Sequence, residues 1–168
     1  MGHSGVVTLQ LRAPRHQVSR KSIVLWTLNA AIGWAVVLVP QLIVLLFTAD
    51  APGWQLALAL TTAVLAIAHT VVMPSWRYRV HRWESTPDAV YTLSGWFNQE
   101  WRIAPVSRIQ TVDTKRGPLQ QMLGLATVTV TTASAAGPVE IEGLDLDTAA
   151  RLVDELTTTT QATPGDAT

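Results

Sequence analysis

Two stretches without a charged side chain constrain this chain more than anything else in it. No Lys, Arg, Asp or Glu occurs between Lys21 and Asp50, and none between Asp50 and Arg77. The first holds the run IVLWTLNAAIGWAVVLVPQLIVLLF (23–47), and the second holds WQLALALTTAVLAIAHTVVM (54–73). At about 1.5 Å of rise per helical residue, the first exceeds the roughly 30 Å hydrocarbon core of a bilayer, and the second just spans it. Core helices of a soluble domain are rarely this long without a polar face, and the rest of the chain is too short to surround them. Two transmembrane helices are therefore expected at 23–47 and 54–73. An A-x-A pattern in TADA (48–51) is similar to a signal-peptidase site, but the preceding run is too long for a signal peptide, and a second span follows at once.

The flanks orient the hairpin. Residues 1–22 form a basic segment in which Arg12, Arg15, Arg20 and Lys21 stand without an acid. Arg77, Arg79 and Arg82 follow the second span, and the connecting loop TADAPG carries only Asp50. The excess of Lys and Arg on one side predicts a multi-pass protein of the cell membrane, with both termini cytoplasmic and the Pro52-Gly53 turn outside. Trp26, Trp54 and Trp76 lie near the span ends, where indole rings favour the headgroup layer. Pro40 should kink the first span, and Asn29 and Gln41 can bond across helices. His69 is an ionisable group inside a span with no acidic partner. It reads as a neutral ring reaching water or headgroups, with a proton relay or ligand site as the alternative.

Beyond Pro74 the period changes. WRYRVHRWE (76–84) alternates like a strand leaving the membrane, and ESTPD (84–88) is a turn. AVYTLSG (89–95) and FNQEWRIA (97–104) form a hairpin around Gly95-Trp96, and SRIQTVDTK (107–115) is a further strand. ATVTVTTA (126–133) places Ala126, Val128 and Val130 on one face and Thr127, Thr129 and Thr131 on the other, which reads as solvent-facing. A turn at Ala136-Gly137-Pro138 leads to VEIEG (139–143). Asp145 then caps an amphipathic helix with Leu146, Ala149, Ala150, Val153 and Leu156 on one face. The fold class is thus a two-helix transmembrane hairpin followed by a small β-rich barrel or sandwich of pleckstrin-homology (PH) type, at 76–157, closed by a C-terminal α-helix. Residues 158–168 read as a disordered tail.

The stretch KRGPLQQMLGLATVTV (115–130) joins a basic turn, a short apolar helix and a strand. Pro118 opens the helical turn at a favoured position, and Gly124 ends it. Leu119, Met122 and Leu123 then either plug an open end of the barrel or form a contact surface for a partner or the bilayer.

The order of elements resembles the bacterial membrane-anchored PH-domain proteins, the YdbS-like group. The similarity is carried mainly by RIQTVDTKRGPLQQMLGLATVTVTTAS (108–134), with YTLSGWFNQEWRIAPVSRIQTV (91–112), the Gly-Leu before the last helix, and the two preceding spans. It implies a membrane-tethered PH-like module. It also implies a role in envelope maintenance, beside a larger membrane protein with several PH domains.

The residues offer no enzyme chemistry. The histidines His3, His16, His69 and His81 lack metal spacing, there is no phosphate-cradling Gly-rich loop or nucleophile elbow, and Cys is absent. No metal or cofactor is expected. Glu140/Glu142 and Asp154/Glu155 read as solvated pairs. Arg77, Arg79, Arg82, Lys115 and Arg116 are candidate contacts for anionic lipid headgroups, at about 1 kcal/mol each near a membrane surface. Yet the segment from Arg77 onward carries eight basic and eleven acidic residues, and the ESTPD turn is acidic. That balance disfavours inositol phosphates and excludes the basic face that nucleic acid requires. The leading expectation is a non-enzymatic module that binds protein partners or self-associates at the cytoplasmic face. A lipid-headgroup sensor and a small transport or channel subunit are the alternatives.

Overall fold

The computed structural model describes residues 12–48, 52–134 and 137–162. A two-residue strand, β1 (His16–Gln17), precedes two long helices, α1 (Lys21–Phe47) and α2 (Gly53–Val80). Then come β2 (Arg82–Ser85), β3 (Ala89–Gly95), β4 (Gln99–Pro105), a 3-10 turn (Val106–Arg108) and β5 (Ile109–Lys115). The short helix α3 (Pro118–Leu123), β6 (Leu125–Thr132), β7 (Val139–Asp145) and α4 (Leu146–Ala162) complete the order. The expected positions of Asp50, of the A-x-A pattern and of residues 163–168 lie wholly or partly outside the described residues.

Both long helices are apolar and long enough to cross a membrane. They pack on each other through small side chains of α2, with Ala59, Thr62 and Ala66 buried, while Val36, Leu46, Leu60, Val64 and Val71 stand exposed. Small residues let helix backbones approach closely where lipid removes the usual hydrophobic drive between helices. Near its domain-proximal end α1 buries Ser22, Leu25 and Trp26, and α2 buries Met73 and Pro74.

The strands form two antiparallel sheets, ordered β1-β2-β3-β4 and β5-β6-β7, which face each other without closing into a barrel. Val90, Ala104, Leu125, Val128, Val130, Ile141 and Leu144 fill the space between them, and Ala149, Leu152 and Leu156 of α4 cover it. The cluster also takes in Val18, Leu25 and Trp26 from the N-terminal side of the chain. The segment ahead of the first span is therefore part of the domain. Its His16 and Gln17 pair with Trp83 and Arg82, and Arg12 and Arg15 hold the Glu84 carboxylate.

The structure corrects several expectations. The strand expected from Trp76 does not begin there, because α2 continues to Val80 and the strand starts at Arg82. The apparent alternation of Trp76, Tyr78 and Val80 gives way to a helical pairing four residues apart. The Arg77 carbonyl accepts from the His81 N–H at 2.9 Å and also lies 2.9 Å from His81 Nδ1, while Tyr78 packs on the core. Thr127 and Thr129 are buried rather than solvent-facing, and α3 reaches the first of them. Thr127 Oγ1 accepts from Gln120 Nε2 at 2.9 Å. The tail expected to be disordered from 158 is helical to Ala162, with the Thr157, Thr159 and Thr160 hydroxyls donating to carbonyls one turn back. Trp26, expected at the headgroup layer, turns its indole into the protein against Arg77 and His81. It is 2% exposed, packed between the helices and the sandwich.

Candidate functional site

Where the hairpin meets the sandwich, backbone geometry and charge are both tightly specified. β7 is bulged opposite Ala126–Val128, and within it Gly143 takes φ +76°. That conformation strains any residue with a Cβ. Here a Cβ would also overlap Ser22 Oγ. The close approach lets Ser22 Oγ donate to the Gly143 carbonyl at 2.9 Å, and the Ser19 N–H donates to the same oxygen at 2.9 Å. The first turn of α1 and Ser19 just ahead of it are thus stitched to the second sheet by two hydrogen bonds, one from a fully buried hydroxyl.

The strand period carries the next pair. Glu140 and Glu142, two apart on β7, lie on one face, and each meets a cation. Glu142 Oε2 takes Arg77 Nη2 at 2.7 Å, and Glu140 Oε1 lies 3.8 Å from Lys115 Nζ. Arg77 is held on its other side too, its guanidinium 4.5 Å from the centre of the Trp26 ring. The His81 ring leans on the same indole, with centroids 4.9 Å apart. Burial foremost, and then the Arg77 charge, push the His81 pKa down to about 4, so the ring is neutral at physiological pH.

Two clefts flank the Arg77–Glu142 pair. One, of about 330 Å³, opens between the sheets and is lined by Arg77, His81, Glu100, Arg102, Glu140 and Glu142 among others. Arg102 is committed there, donating to the Gly137 carbonyl at 3.0 Å and to the Pro138 carbonyl. The other, of about 340 Å³, lies between Leu25, Trp26 and Asn29 of α1 and Gly117, Pro118, Leu119 and Gln120 around the start of α3. The first holds three carboxylates against two guanidiniums, which suits a polyanionic headgroup poorly. Among the described residues there is no group of three or more His, Cys, Asp or Glu placed to hold a metal ion.

The residues singled out from sequence fall into distinct settings. Arg77 and Lys115 pair with β7 as above, and Arg116 Nε donates to the Leu125 carbonyl at 3.2 Å. Arg79 is exposed and Arg82 half-buried, and neither makes a side-chain ion pair among the described residues. Leu119 and Leu123 pack against the core, whereas Met122 is 83% exposed and plugs nothing. α3 itself forms as its sequence suggests. Gly117 N–H donates to Gln120 Oε1 at 3.0 Å, Pro118 is its first residue, and Gly124 ends it at φ +67°. Asn29 lines the second cleft, and Gln41 Oε1 has no partner among the described residues. His69 reaches neither an acid nor the loop end of the hairpin: Trp34 Nε1 donates to its Nδ1 at 3.1 Å, and the Trp96 ring lies 5.8 Å away. Trp26, Ser22, Gly143 and His81 were not legible as site residues, because each acts across more than fifty positions of chain or inside a run that reads as plain membrane span.

The sequence profile of the bacterial PH domain family matches residues 24–159, a stretch that includes α2 and all but the first three residues of α1. The chain is also 31% identical over 156 residues to UPF0699 transmembrane protein YdbS of Bacillus subtilis (strain 168), covering 91% of this chain and 97% of that one. No solved structure matches.

Proposed function

The chain belongs to the bacterial PH domain family, and from that premise we propose that it is a non-catalytic, membrane-anchored module whose sandwich docks a protein partner, or a second copy of itself, at the cytoplasmic face. The observation that carries this reading is α3. Two of its apolar side chains, Leu119 and Leu123, face the core, and the third, Met122, is 83% exposed, in the turn of helix that follows Lys115 and Arg116 in the chain. An unbranched thioether on an otherwise committed helix suits an adaptable protein contact. The basic side chains that a headgroup sensor would use are largely spent inside the protein: Arg77 on Glu142, Lys115 on Glu140 and Arg116 on a carbonyl. Arg79 and Arg82 remain for non-specific attraction to anionic lipid and for setting both termini inside. The family resemblance favours, as partner, a membrane protein with further PH-like domains, in the upkeep of the envelope.

Since the chain has no cysteine, Met122→Cys gives a single cross-linking site in native membranes. A discrete adduct, either a dimer or one partner of fixed mass, is expected at Met122 and absent from Gln110→Cys on the exposed side of β5. Met122→Asp should abolish the association while leaving thermal unfolding unchanged. Leu123→Asp, which buries a charge against the core, should lower stability by several kcal/mol. Absence of any Met122-specific adduct, or an association indifferent to Met122→Asp, would remove this surface from the proposal.

A further inference from the structure

The β3–β4 hairpin does not point away from the membrane helices. Its tip, Ser94 to Gln99, carries no charge, and Gly95 at φ +103° makes a turn so tight that a Cβ there would overlap the Asn98 carbonyl oxygen. The turn aims two aromatic rings outward. Trp96 is 43% exposed and stacks 6.0 Å from Phe97, which is 84% exposed, so it covers nothing in the protein.

What places this tip is His69. The Trp96 ring lies edge-on to the His69 ring at 5.8 Å, and His69 sits inside the apolar run of α2 with Ile67, Val71 and Val72 exposed around it. The domain end of the helix pair is marked by the buried Trp26 of α1 and Met73 of α2. His69 is a full turn beyond that point. Counted from Trp54 at about 1.5 Å per residue, a hydrocarbon core of roughly 30 Å ends near Met73, which puts His69 about 6 Å inside the boundary. Trp96 is therefore held at the edge of the hydrocarbon, with Phe97 free beside it. A β-turn has backbone groups that need partners, so this level suits it and the bilayer centre does not.

We propose that Trp96 and Phe97 form a second membrane-binding site, a lipid-inserting hairpin tip at the boundary between acyl chains and headgroups. It rests on reading α1 and α2 as a membrane hairpin and is independent of any partner at Met122. The lipid face of the tip is the exposed Phe97 ring. Trp96 supplies an interfacial indole and, through His69 and the Trp34–His69 hydrogen bond, links the sandwich to both spans. The site takes acyl chains of any bilayer lipid and needs no particular headgroup. It fixes the sandwich against the bilayer at a point separate from the two chain connections at Lys21 and Val80.

The test uses the full chain in nanodiscs of phosphatidylethanolamine and phosphatidylglycerol. Single-cysteine variants Phe97→Cys, Val71→Cys and Gln110→Cys carry a nitroxide, and its collision rates with oxygen and with a water-soluble nickel complex report depth. Val71 is the lipid-facing reference on α2, and Gln110 is the aqueous one. A Phe97 label with an oxygen-to-nickel ratio near that of Val71, several-fold above that of Gln110, is the expected result. A ratio equal to that of Gln110 would overturn the proposal. So would shielding from both colliders, which would mean that protein, such as a second copy, covers the tip. Should Phe97→Cys not yield folded protein, the neighbouring Asn98→Cys gives the same reading. If Val71 itself reports water, the membrane hairpin fails, and the lipid-inserting tip falls with it.

Discussion

The loop-proximal and domain-proximal parts of the two long helices are built from the same kind of sequence and behave as different materials. Toward the loop, Leu46, Phe47 and Trp54 are exposed, and only small residues of α2 are buried. Toward the domain, Ser22, Leu25, Trp26, Met73 and Pro74 are buried, with Leu25 and Trp26 part of the sandwich core. One part offers its apolar surface to a solvent that must be apolar. The other offers it to Val18, Tyr78 and the core strands, and adds Arg77 stacked on Trp26 and paired with Glu142. The apolar run Ile23 to Phe47 does not itself say which of its side chains will meet protein and which will not. The difference lies in partners supplied from more than fifty residues away, and it makes the PH-like domain and the ends of its anchor one folded unit instead of a domain on a tether.

The largest consequence falls on the two tryptophans. Trp26→Ala should cost about 3–5 kcal/mol of stability, as for other large aromatic truncations in a core. It should lower the melting temperature of the purified protein in detergent. Trp54→Ala, 64% exposed at the loop end, should leave that melt unchanged. Equal effects would erase the distinction between the two parts of the hairpin.

A pH titration sharpens it next. The His81 pKa is depressed to about 4 in the folded protein against an ordinary value near 6.5, so between these values the unfolded chain binds more protons. Stability should thus be full above about pH 6.5 and fall as pH drops toward 4, by at most about 3 kcal/mol at 1.36 kcal/mol per unit. His81→Gln should flatten that slope in melts run from pH 7 to 4.5. Arg77 works in the same direction, because its charge opposes the imidazolium. Hydrogen bonding of the ring to the Arg77 and Gly95 backbone works against it.

Smaller again is the stitch between α1 and β7. Ser22→Ala removes a buried donor and should cost about 1–2 kcal/mol. Gly143→Ala both strains φ and displaces Ser22, so it should cost more than Ser22→Ala alone. In the double variant the two costs should fall short of adding, since they remove one contact. Full additivity would mean that Gly143 serves only its own turn.

Much of the fold could be read from the residues because local pattern and final structure agree there. The charge-free runs, the Ala89–Gly95 strand and the Pro118–Gly124 turn each satisfy their own backbone and burial needs. The candidate site was legible only in fragments. Trp76 to His81 alternates in sequence yet is largely helical, because Arg77 and His81 must share one face to meet Trp26. Glu140 and Glu142 look solvated until α2 and the end of β5 bring Arg77 and Lys115 to them. The plug divides, with Leu119 and Leu123 inward and Met122 outward, although the three positions at i, i+3 and i+4 share one helix face.

Hydrogen exchange of the full chain in nanodiscs addresses the lock between anchor and domain most directly. Its key reporter is the Ser19 amide, which donates to the Gly143 carbonyl at 2.9 Å and lies in the segment just ahead of α1. If the helix ends and the sandwich are one unit, the amides from Gln17 to Ser22 should exchange nearly as slowly as those of β6, orders of magnitude slower than Arg12. Exchange of Ser19 at the rate of Arg12, with β6 still protected, would mean a PH-like domain that merely hangs from its anchor.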